Sequence, residues 1–473
     1  MSGSTGKTWR LLVVGGDAAG MTAASHVRRA DPGADIVVVE RGNHTSYSMC
    51  GIPYLVGGEV DDADALVVRT PEEFREQSMT VHMRTEALSA DPAARTVHLR
   101  DLDSGEERDE PYDALLIATG AHPFTPDVEG LETFGHVVHT LDEGEALRRH
   151  LDERAVAGGP AVRDAAVVGG GYIGMEIAEA LVRRGVDAVL IDRAAQVMNK
   201  ALDPDMAAHV ERALRDFGVK LRLGEDLKVV TGSGGRATEV TTSAGTYPAD
   251  VVILAAGSRP NAALAESAGC ALGGTGAVVV DAQMRTSVEG VWAAGDVVES
   301  RDLVAGLRRN VQLGTHANKQ GKVAAIDLLA ARHGGRGAAA FPGVVGTAVT
   351  KVCDWEIGRT GLHEGDAREA GVAYAATAFD TTARAGYMAD AGVVHVKMLA
   401  EERTGRVLGC QLVGSGNVAK RIDVAAVWCQ LGVTVQRAQF LDLSYAPPFG
   451  GVWDLLQVAA RKLTRDLGLS PQL

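Results

Sequence analysis

The residue of this chain that is best suited to redox chemistry is Cys50, in the stretch SYSMCGIPY. A thiolate attacks disulfides and can be oxidised, whereas most free cysteines pack as small apolar side chains. The four other cysteines lie far apart along the chain, at positions 270, 353, 410 and 429, and none belongs to a CxxC pair. The spacing therefore predicts neither a disulfide framework nor a metal site. Cys50 becomes a candidate nucleophile if a redox cofactor binds beside it.

A second chemically informative stretch is GGGYIG at 169–174, which matches G-x-G-x-x-G directly after an apolar strand. Gly169 permits a tight turn, Gly171 lets the backbone approach a pyrophosphate, and Gly174 lets the following helix pack closely. Asp192 ends the next strand, at the spacing of an acid that binds a ribose 2′-hydroxyl. Because Asp192 would repel a 2′-phosphate, we favour NADH, although Arg193 beside it keeps NADPH open.

A similar stretch, GGDAAG at 15–20, follows the first strand, with Asp17 at the position of the middle glycine. Glu40 ends the strand that follows. Two dinucleotide units in one chain most simply hold a flavin and a nicotinamide. Asp296, in AAGD after a later strand, is suited to the ribityl hydroxyls of a flavin; otherwise it is an ordinary acid at the end of a strand.

The elements that must position these residues alternate short β-branched apolar runs with helical spacing. This pattern predicts an α/β protein with two Rossmann-like dinucleotide-binding domains, for FAD and NAD(P), and a C-terminal α+β domain. We place the FAD-binding domain at 1–117 and 250–333 and the NAD(P)-binding domain at 118–249. The C-terminal domain covers 334–473, beginning in the linker-like stretch ARHGGRGAAAFPG.

The composition limits the partners of the chain. Its 473 residues carry a net charge of −14, which argues against nucleic-acid and anionic-membrane binding. No apolar run reaches the roughly 18 residues of a membrane span. The opening MSGSTGKTWR lacks the apolar core of a signal peptide. We therefore expect a cytoplasmic protein.

The motifs together resemble the flavin-dependent pyridine nucleotide–disulfide oxidoreductases, through VVGGDAAG, ATG at 118–120, GGGYIG, AAGSRPN and AAGD. The resemblance implies FAD between a nicotinamide and a redox-active thiol, in a homodimer formed by the C-terminal domain. Dithiol members carry C-x-x-x-x-C, but Leu55 stands where the second cysteine would be. SYSMCGIPY is instead similar to the single-cysteine branch of coenzyme A-disulfide reductases, NADH oxidases and peroxidases, and persulfide reductases. We predict an NAD(P)H-dependent flavoenzyme that reduces a small disulfide or persulfide, such as coenzyme A disulfide, through Cys50.

The resemblance also implies site residues. Tyr445 and Tyr387 would approach the cysteine of the partner subunit, although Tyr387 could serve only as interface packing. The substrate would contact His26, Arg29 and Ser46. The cofactors would contact the glycine-rich loops and the segments after neighbouring strands, with Tyr172 as a gate over the flavin: Gly15, Ala18, Ala19, Gly20, Glu40, Arg41, Val81, Thr119, Gly120, Gly169, Gly171, Tyr172, Ile173, Gly174, Asp192, Gly257, Gly295, Asp296, Gly314 and Thr315.

Three departures from the branch keep alternatives open. Met49 stands where coenzyme A-handling members often carry Asn, and Glu73 replaces a Lys and would repel ligand phosphates, so another thiol partner is conceivable. Ala18 stands where the oxidases and peroxidases usually carry His, which disfavours peroxide cleavage. An NADH oxidase with a Cys50 sulfenate remains one alternative, and a non-catalytic redox sensor another. Because attack needs a thiolate, we expect a lowered pKa for Cys50.

Overall fold

The computed structural model describes residues 9–156 and 162–470. The first stretch alternates strands and helices, and short 3₁₀ turns at Met49–Gly51 and Ala63–Leu66 precede and follow its second helix. Its elements are β1 (Arg10–Val14), α1 (Ala18–Ala30), β2 (Asp35–Val39), α2 (Ile52–Gly57), α3 (Pro71–Glu76), β3 (Thr80–His82), β4 (Thr85–Asp91), β5 (Thr96–Asp101), β6 (Glu107–Pro111) and β7 (Ala114–Ile117).

The second stretch repeats the strand–turn–helix–strand unit around its own glycine-rich loop. Its elements are β8 (Ala121–Pro123), α4 (Leu131–Phe134), β9 (Gly135–Val137), α5 (Leu141–Val156), β10 (Asp164–Val168), α6 (Tyr172–Arg183), β11 (Asp187–Asp192), α7 (Pro204–Phe217), β12 (Lys220–Leu223), β13 (Leu227–Ser233), β14 (Arg236–Thr242), β15 (Thr246–Pro248), β16 (Val251–Leu254) and β17 (Ser258–Pro260).

The chain then returns to the first domain through α8 (Ala263–Ser267), β18 (Val291–Ala293), β19 (Ser300–Arg301), β20 (Arg308–Arg309) and α9 (Gly314–Ala331). Two parallel five-stranded sheets result, with the orders β18-β7-β1-β2-β3 and β12-β11-β10-β16-β9. The central strand of each sheet, β1 or β10, runs into a glycine-rich loop at its carboxyl end, where nucleotides bind in such sheets. The two predicted dinucleotide-binding domains are confirmed.

The return to the first domain occurs later than the sequence boundary at 250. Strand β16 pairs in parallel with β10, so residues 251–254 belong to the second sheet. The crossing point is the antiparallel pair of β8 and β17, in which Ala121 faces Pro260. A four-residue buried strand reads the same in either parallel sheet, which explains the misplaced boundary. Antiparallel three-stranded sheets, β4-β5-β6 and β13-β14-β15, are attached to the first and second domain respectively.

The C-terminal domain is the predicted α+β unit. Its elements are β21 (Ala348–Val352), β22 (Trp355–Gly361), α10 (Glu364–Glu369), β23 (Tyr374–Thr382), β24 (Val393–Glu401), β25 (Val407–Gly414), α11 (Val418–Leu431), α12 (Val435–Ala438) and α13 (Leu455–Asp466). The strands form one antiparallel sheet in the order β21-β22-β25-β24-β23. One face packs on α11 and α13 around a buried apolar cluster, while the other face meets α7 of the second domain. Of the helices in the described residues, none combines the length and apolar character needed to cross a membrane.

Candidate functional site

The first glycine-rich loop is shaped by close backbone contacts. Gly15 has φ of +114°, and a Cβ there would lie 2.1 Å from the carbonyl oxygen of Ala118. A Cβ at Gly20 would lie 1.9 Å from the carbonyl oxygen of Gly15, so only glycine lets α1 approach the loop this closely. The backbone N–H groups of Gly16 and Gly42 donate to the two carboxylate oxygens of Glu40, each at 2.6 Å. The predicted acid therefore lies against the predicted loop.

The second loop has nearly the same geometry. Gly169 has φ of +115°, and a Cβ at Gly174 would lie 1.8 Å from the carbonyl oxygen of Gly169. The N–H groups of Gly170 and Ala194 donate to Asp192 at 2.6 and 2.7 Å. Gly171 starts helix α6, and the space around its missing Cβ is open. An anionic group can therefore approach the helix N-terminus here without meeting a side chain.

A second helix, α9, packs against α1 beside the first loop. A Cβ at Gly321 would lie 2.3 Å from the carbonyl oxygen of Ala19, so α1 and α9 cross in direct backbone contact. Gly295 has φ of +87°, and its N–H donates to the buried side chain of Gln320 at 2.8 Å. Burial raises the pKa of Asp296, the next residue, to about 6. The predicted residues Gly295 and Asp296 are thus brought to the loop of residues 15–20, and Gly314 is the first residue of the helix that crosses α1.

These surroundings suit the two predicted nucleotides. The hydroxyl of Tyr172, at the start of α6, is buried and has no hydrogen-bond partner among residues 9–156 and 162–470, which leaves a donor for a bound molecule. The first loop, Glu40 and Asp296 would hold FAD. The second loop and Asp192 would hold the nicotinamide nucleotide, with Tyr172 between the two sites.

Four other predicted cofactor residues occupy positions set by backbone geometry. The Thr119 hydroxyl donates to the carbonyl oxygen of Asn261 at 2.7 Å, tying together the two crossings between the domains. Gly120 and Gly257 take positive φ of +67° and +99° at those crossings. Val81 is buried in β3, at the edge of the first sheet.

The remaining predicted cofactor residues lie at the surface. The Arg41 guanidinium is 3.4 Å from the carboxylate of Glu86. Ile173 and Thr315 are exposed in the first turns of α6 and α9.

Cys50 lies in the 3₁₀ turn just before α2, on a segment pinned to the first loop. The N–H of Ser46 donates to the carbonyl oxygen of Gly16 at 3.1 Å, and Ser46 takes a left-handed conformation with φ of +45°. After the cysteine, a Cβ at Gly51 would lie 2.3 Å from a methyl group of Leu66, which explains the glycine. Two residues that are distant in sequence, Gly16 and Leu66, therefore contact the segment that carries the sulfur.

The prediction of a lowered pKa for Cys50 is wrong, because the surrounding protein groups raise it. Burial of the sulfur raises its pKa, and the carboxylates of Glu176, Asp296 and Asp17 raise it further. Helix α2, which begins two residues later, has only six residues and is too short to oppose three carboxylates. The thiol is nonetheless exposed in the single chain, so it is accessible to a substrate.

The other four cysteines are free and buried. Burial raises the pKa of each thiol, to about 12 for Cys353 and Cys429. They are therefore packed as small apolar groups, as the sequence analysis expects, and Cys50 is the accessible thiol among the five.

The predicted substrate residues lie on α1 and on the cysteine segment. Arg29 is exposed near the end of α1, and His26 is half-buried one turn earlier. Burial lowers the pKa of His26, and the charges of Arg29 and Lys322 lower it further. Arg29 and Lys322 thus form a positive region along α1 and α9, beside the His26 ring.

Tyr387 and Tyr445 lie on the C-terminal domain and are 76% and 49% exposed in the single chain. Their segments pack together, since the N–H of Ala385 donates to the carbonyl oxygen of Pro447 at 3.0 Å. Apolar neighbours Phe449 and Val452 are exposed beside them. This surface is described below as the tyrosine surface.

Two residues of the site escaped the sequence analysis. Glu176 lies one turn after Tyr172 on α6, and its charge acts on both Cys50 and Tyr54. Its only sequence signal is the i, i+4 spacing from Tyr172, which places both on one helix face. Asp17 was noticed as a replaced glycine, but not as a charge near the sulfur. Burial and the charge of Glu40 raise the pKa of Asp17 to about 6.

Comparison with known proteins agrees with this geometry. The family model described as "Pyridine nucleotide-disulphide oxidoreductase" matches residues 9–321, and the model of its dimerisation domain matches residues 347–455. Together the two models span both nucleotide-binding domains and most of the C-terminal domain.

Three individual proteins illustrate the similarity. The NAD(P)H coenzyme A polysulfide/persulfide reductase of Pyrococcus horikoshii is 38% identical over 96% of this chain and 98% of its own. An NADH oxidase of Methanocaldococcus jannaschii is 34% identical over 97% and 99%. The solved structure of a NAD-dependent persulfide reductase from A. fulgidus has a TM-score of 0.90 and 38% identity, covering 97% of this chain and 84% of that one.

Proposed function

The chain belongs to the pyridine nucleotide-disulphide oxidoreductases, and within that family we propose that it uses NAD(P)H to reduce a small disulfide or persulfide at Cys50. FAD and a pyridine nucleotide are the cofactors of this family. The observation that carries the proposal is one exposed thiol, pinned to the first glycine-rich loop, while the other four cysteines are buried. A dithiol reductase needs a second thiol at this place, and this chain has Leu55 there.

The chemistry of Cys50 follows from thiol–disulfide exchange. The Cys50 thiolate attacks one sulfur of the substrate, so that a Cys50–S bond forms, the substrate S–S bond breaks, and the leaving thiolate takes a proton. Cleavage of the mixed disulfide needs two electrons and one proton, and it returns the Cys50 thiolate and the second thiol. Bound FAD and NAD(P)H supply these electrons. Because Cys50 has a raised pKa, the attack accelerates as pH rises.

Coenzyme A disulfide is the first substrate to test. The 38% identical relative from Pyrococcus horikoshii is named for coenzyme A polysulfide and persulfide, and the positive charges of Arg29 and Lys322 suit an anionic substrate. The carboxylate of Glu73 accepts from the N–H of Thr70 in a helix cap, which fixes it within the protein surface.

We infer a homodimer joined through the C-terminal domain, which matches the family's dimerisation domain. The tyrosine surface supports this, because large exposed aromatic side chains are typical of interface cores. In such a dimer Tyr445 would approach Cys50 of the second copy and could donate the proton to the leaving thiolate.

The test compares the wild type with Cys50→Ser in the full-length holoenzyme. We expect NADH-dependent reduction of coenzyme A disulfide to fall by at least about 1,000-fold, because serine is a far weaker nucleophile at neutral pH. Flavin absorption and NADH-dependent reduction of ferricyanide, which needs no thiol, serve as controls and should be unchanged. Reduction of the disulfide by Cys50→Ser at the wild-type rate would refute the proposal.

A second candidate function is an NADH oxidase, favoured by the 34% identical relative with that name. In that reaction oxygen replaces the disulfide, and Cys50 passes through a sulfenate. The same preparation decides between them. Rapid NADH consumption with oxygen alone, lost in Cys50→Ser, would identify the oxidase, whereas consumption that depends on added disulfide identifies the reductase.

A further inference from the structure

The second nucleotide domain and the C-terminal domain meet through polar side chains on α7 and β24. Lys397 is buried on β24, and its ammonium nitrogen lies 2.8 Å from Asp205, 2.5 Å from Glu364 and 3.2 Å from Asp203. A buried ammonium that is surrounded by carboxylates fixes the strand against the start of the helix, because separating them would leave a buried charge unpaired.

Next to this ion cluster is a group of imidazole rings. His209 lies four residues after Asp205 on α7, and therefore on the same face of the helix. His395 lies two residues before Lys397 on β24, and therefore on the same face of the sheet. Their rings stack with centroids 3.4 Å apart and planes inclined by 13°. Asp380 is the cross-strand partner of His395, and its carboxylate oxygen lies 2.6 Å from Nδ1 of that ring.

We propose that His209, Asp380 and His395 bind one divalent transition-metal ion of the zinc class. One ligand atom from each residue, two imidazole nitrogens and one carboxylate oxygen, lies within 4.8 Å of the others. This donor set suits zinc and its transition-metal neighbours, whereas calcium and magnesium prefer all-oxygen sites. The cysteine spacing gives no sign of this site, because its three ligands are not cysteines and come from two domains.

The site has room for an ion and a path to it. A cavity of about 470 Å³ opens beside the two histidines and is also lined by Trp355 and Phe217. The side chain of Asp380 is 67% exposed, so an ion can enter from solvent. Three protein ligands leave a coordination position for water, as in open zinc sites.

Binding requires one ring to move. A ring nitrogen binds a metal in the plane of the ring, so two parallel imidazoles cannot point at one ion. His395 is buried, hydrogen-bonded to Asp380, and stacked on Trp355 with ring centroids 5.7 Å apart. His209 is only half-buried, so it is the ring that turns out of the stack. This rearrangement lowers the affinity, and we expect a Kd on the order of micromolar instead of the much tighter values of preformed structural zinc sites.

An ion held this way joins α7 of one domain to β23 and β24 of another. Since it binds the folded chain, it raises the melting temperature, and the stabilisation grows with the logarithm of one plus the ratio of free zinc concentration to Kd. The site lies outside the nucleotide loops, so zinc is expected to stabilise the domain contact and not to take part in disulfide reduction.

The experiment is calorimetric titration of zinc into the full-length holoenzyme without an affinity tag, in a Cys50→Ser background that removes the accessible thiol. We expect one ion per chain. His209→Ala and Asp380→Asn should each weaken binding at least tenfold, and titration with Co²⁺ should give the visible absorption bands of an ion bound to nitrogen and oxygen. The Asp380 side chain is 67% exposed and His209 is half-buried, so flavin content should match that of the parent in both variants, and the metal-free melting temperature should match in Asp380→Asn.

The chain offers a matched control in a second histidine–carboxylate group, His44, Asp142 and Glu145. His44→Ala should leave zinc binding unchanged. Absence of binding in the parent, undiminished binding in His209→Ala, or loss of binding in His44→Ala would each overturn the proposal. Because no substrate or activity enters the titration, the result does not depend on the proposed reductase function.

Discussion

The two glycine-rich loops have almost the same backbone but differ in their third residue. The first glycine of each loop has φ near +115°, and the N–H of the second donates at 2.6 Å to a strand-end acid. A Cβ on the last glycine would lie under 2 Å from the carbonyl oxygen of the first. At the third position, Gly171 is open, whereas Asp17 places a half-buried carboxyl at the start of α1. The repeated backbone provides the nucleotide cradle, and the side chains that differ decide what happens around it.

A second difference lies two residues after each loop. Both helices continue with methionine, followed by Thr22 in the first and Glu176 in the second. The hydroxyl of Thr22 donates to Asn318 of α9 at 2.7 Å, which strengthens the first domain itself. The charge of Glu176 instead raises the pKa of Cys50, which lies in the other domain. The second loop therefore contributes to the electrostatics of the thiol as well as to its own nucleotide.

The largest expected effect comes from adding a methyl group at the tightest glycine contact of each loop. Gly20→Ala and Gly174→Ala each place a methyl group under 2 Å from a carbonyl oxygen, so the helix must move away from the loop. We expect Gly20→Ala to be purified almost free of flavin. Gly174→Ala should keep its flavin but bind NADH about 100-fold more weakly, which corresponds to about 2.7 kcal/mol. Flavin absorption and NADH titration measure the two outcomes.

Gly274→Ala is the control for this pair, because its surroundings are open and its φ is not positive. It should retain both functions. If Gly174→Ala also loses the flavin, or Gly20→Ala loses only NADH binding, the assignment of one nucleotide to each loop is wrong.

The next effect concerns the strand-end acids. Gly170 and Ala194 donate to different oxygens of Asp192, so Asp192→Asn keeps an acceptor for only one of these N–H groups, and it removes the charge that repels a 2′-phosphate. We expect the ratio of KM for NADPH to KM for NADH to fall about 30-fold, equivalent to about 2 kcal/mol. The matched change in the first loop, Glu40→Gln, should weaken flavin retention and leave this ratio unaltered. A wild-type enzyme that already prefers NADPH would contradict the role of Asp192.

Asp17, which stands where the middle glycine of the first loop is usual, is expected to make FAD binding depend on pH. The pKa of Asp17 is raised to about 6 by burial and by Glu40, and a bound diphosphate favours the neutral carboxyl further. FAD binding therefore takes up a proton, and the Kd for FAD rises as pH increases above about 6. Asp17→Asn should remove this dependence and bind FAD about tenfold more tightly at pH 7.5, as fluorescence titration of apoprotein will show.

The raised pKa of Asp17 also predicts how the stability of the apoprotein depends on pH. The folded pKa of Asp17 lies above its ordinary value of 3.8, so its contribution to stability is fully present below that pH and is lost as pH rises through about 6. Apoprotein carrying Asp17→Asn should therefore gain stability over the wild type at pH 8 but not at pH 3.5. Equal stability at both pH values would show that Asp17 is not desolvated.

Local patterns predicted the cradles because each cradle is built by a short segment and one acid. The distance from Gly169 to Asp192 along the chain is set by one helix and one strand, so the motif carries its own geometry. The charges on Cys50 come from positions 17, 176 and 296, and only the packed domains bring them together. The same reason explains the unexpected His209–His395 contact, which depends on how two domains meet.

The smallest effect concerns Glu176, the charge that the second helix brings to the thiol. Its carboxylate accepts from the hydroxyl of Thr350, and glutamine retains an oxygen for that bond. Since burial is the larger cause of the raised pKa of Cys50, removing this one charge should lower that pKa only slightly. Glu176→Gln should therefore increase the rate of iodoacetamide alkylation at pH 7 about twofold to threefold. Glu179→Gln, on the same helix and ion-paired with Arg183, should leave the rate unchanged. Equal rates in all three proteins would mean that the second helix, like the first, acts only within its own domain.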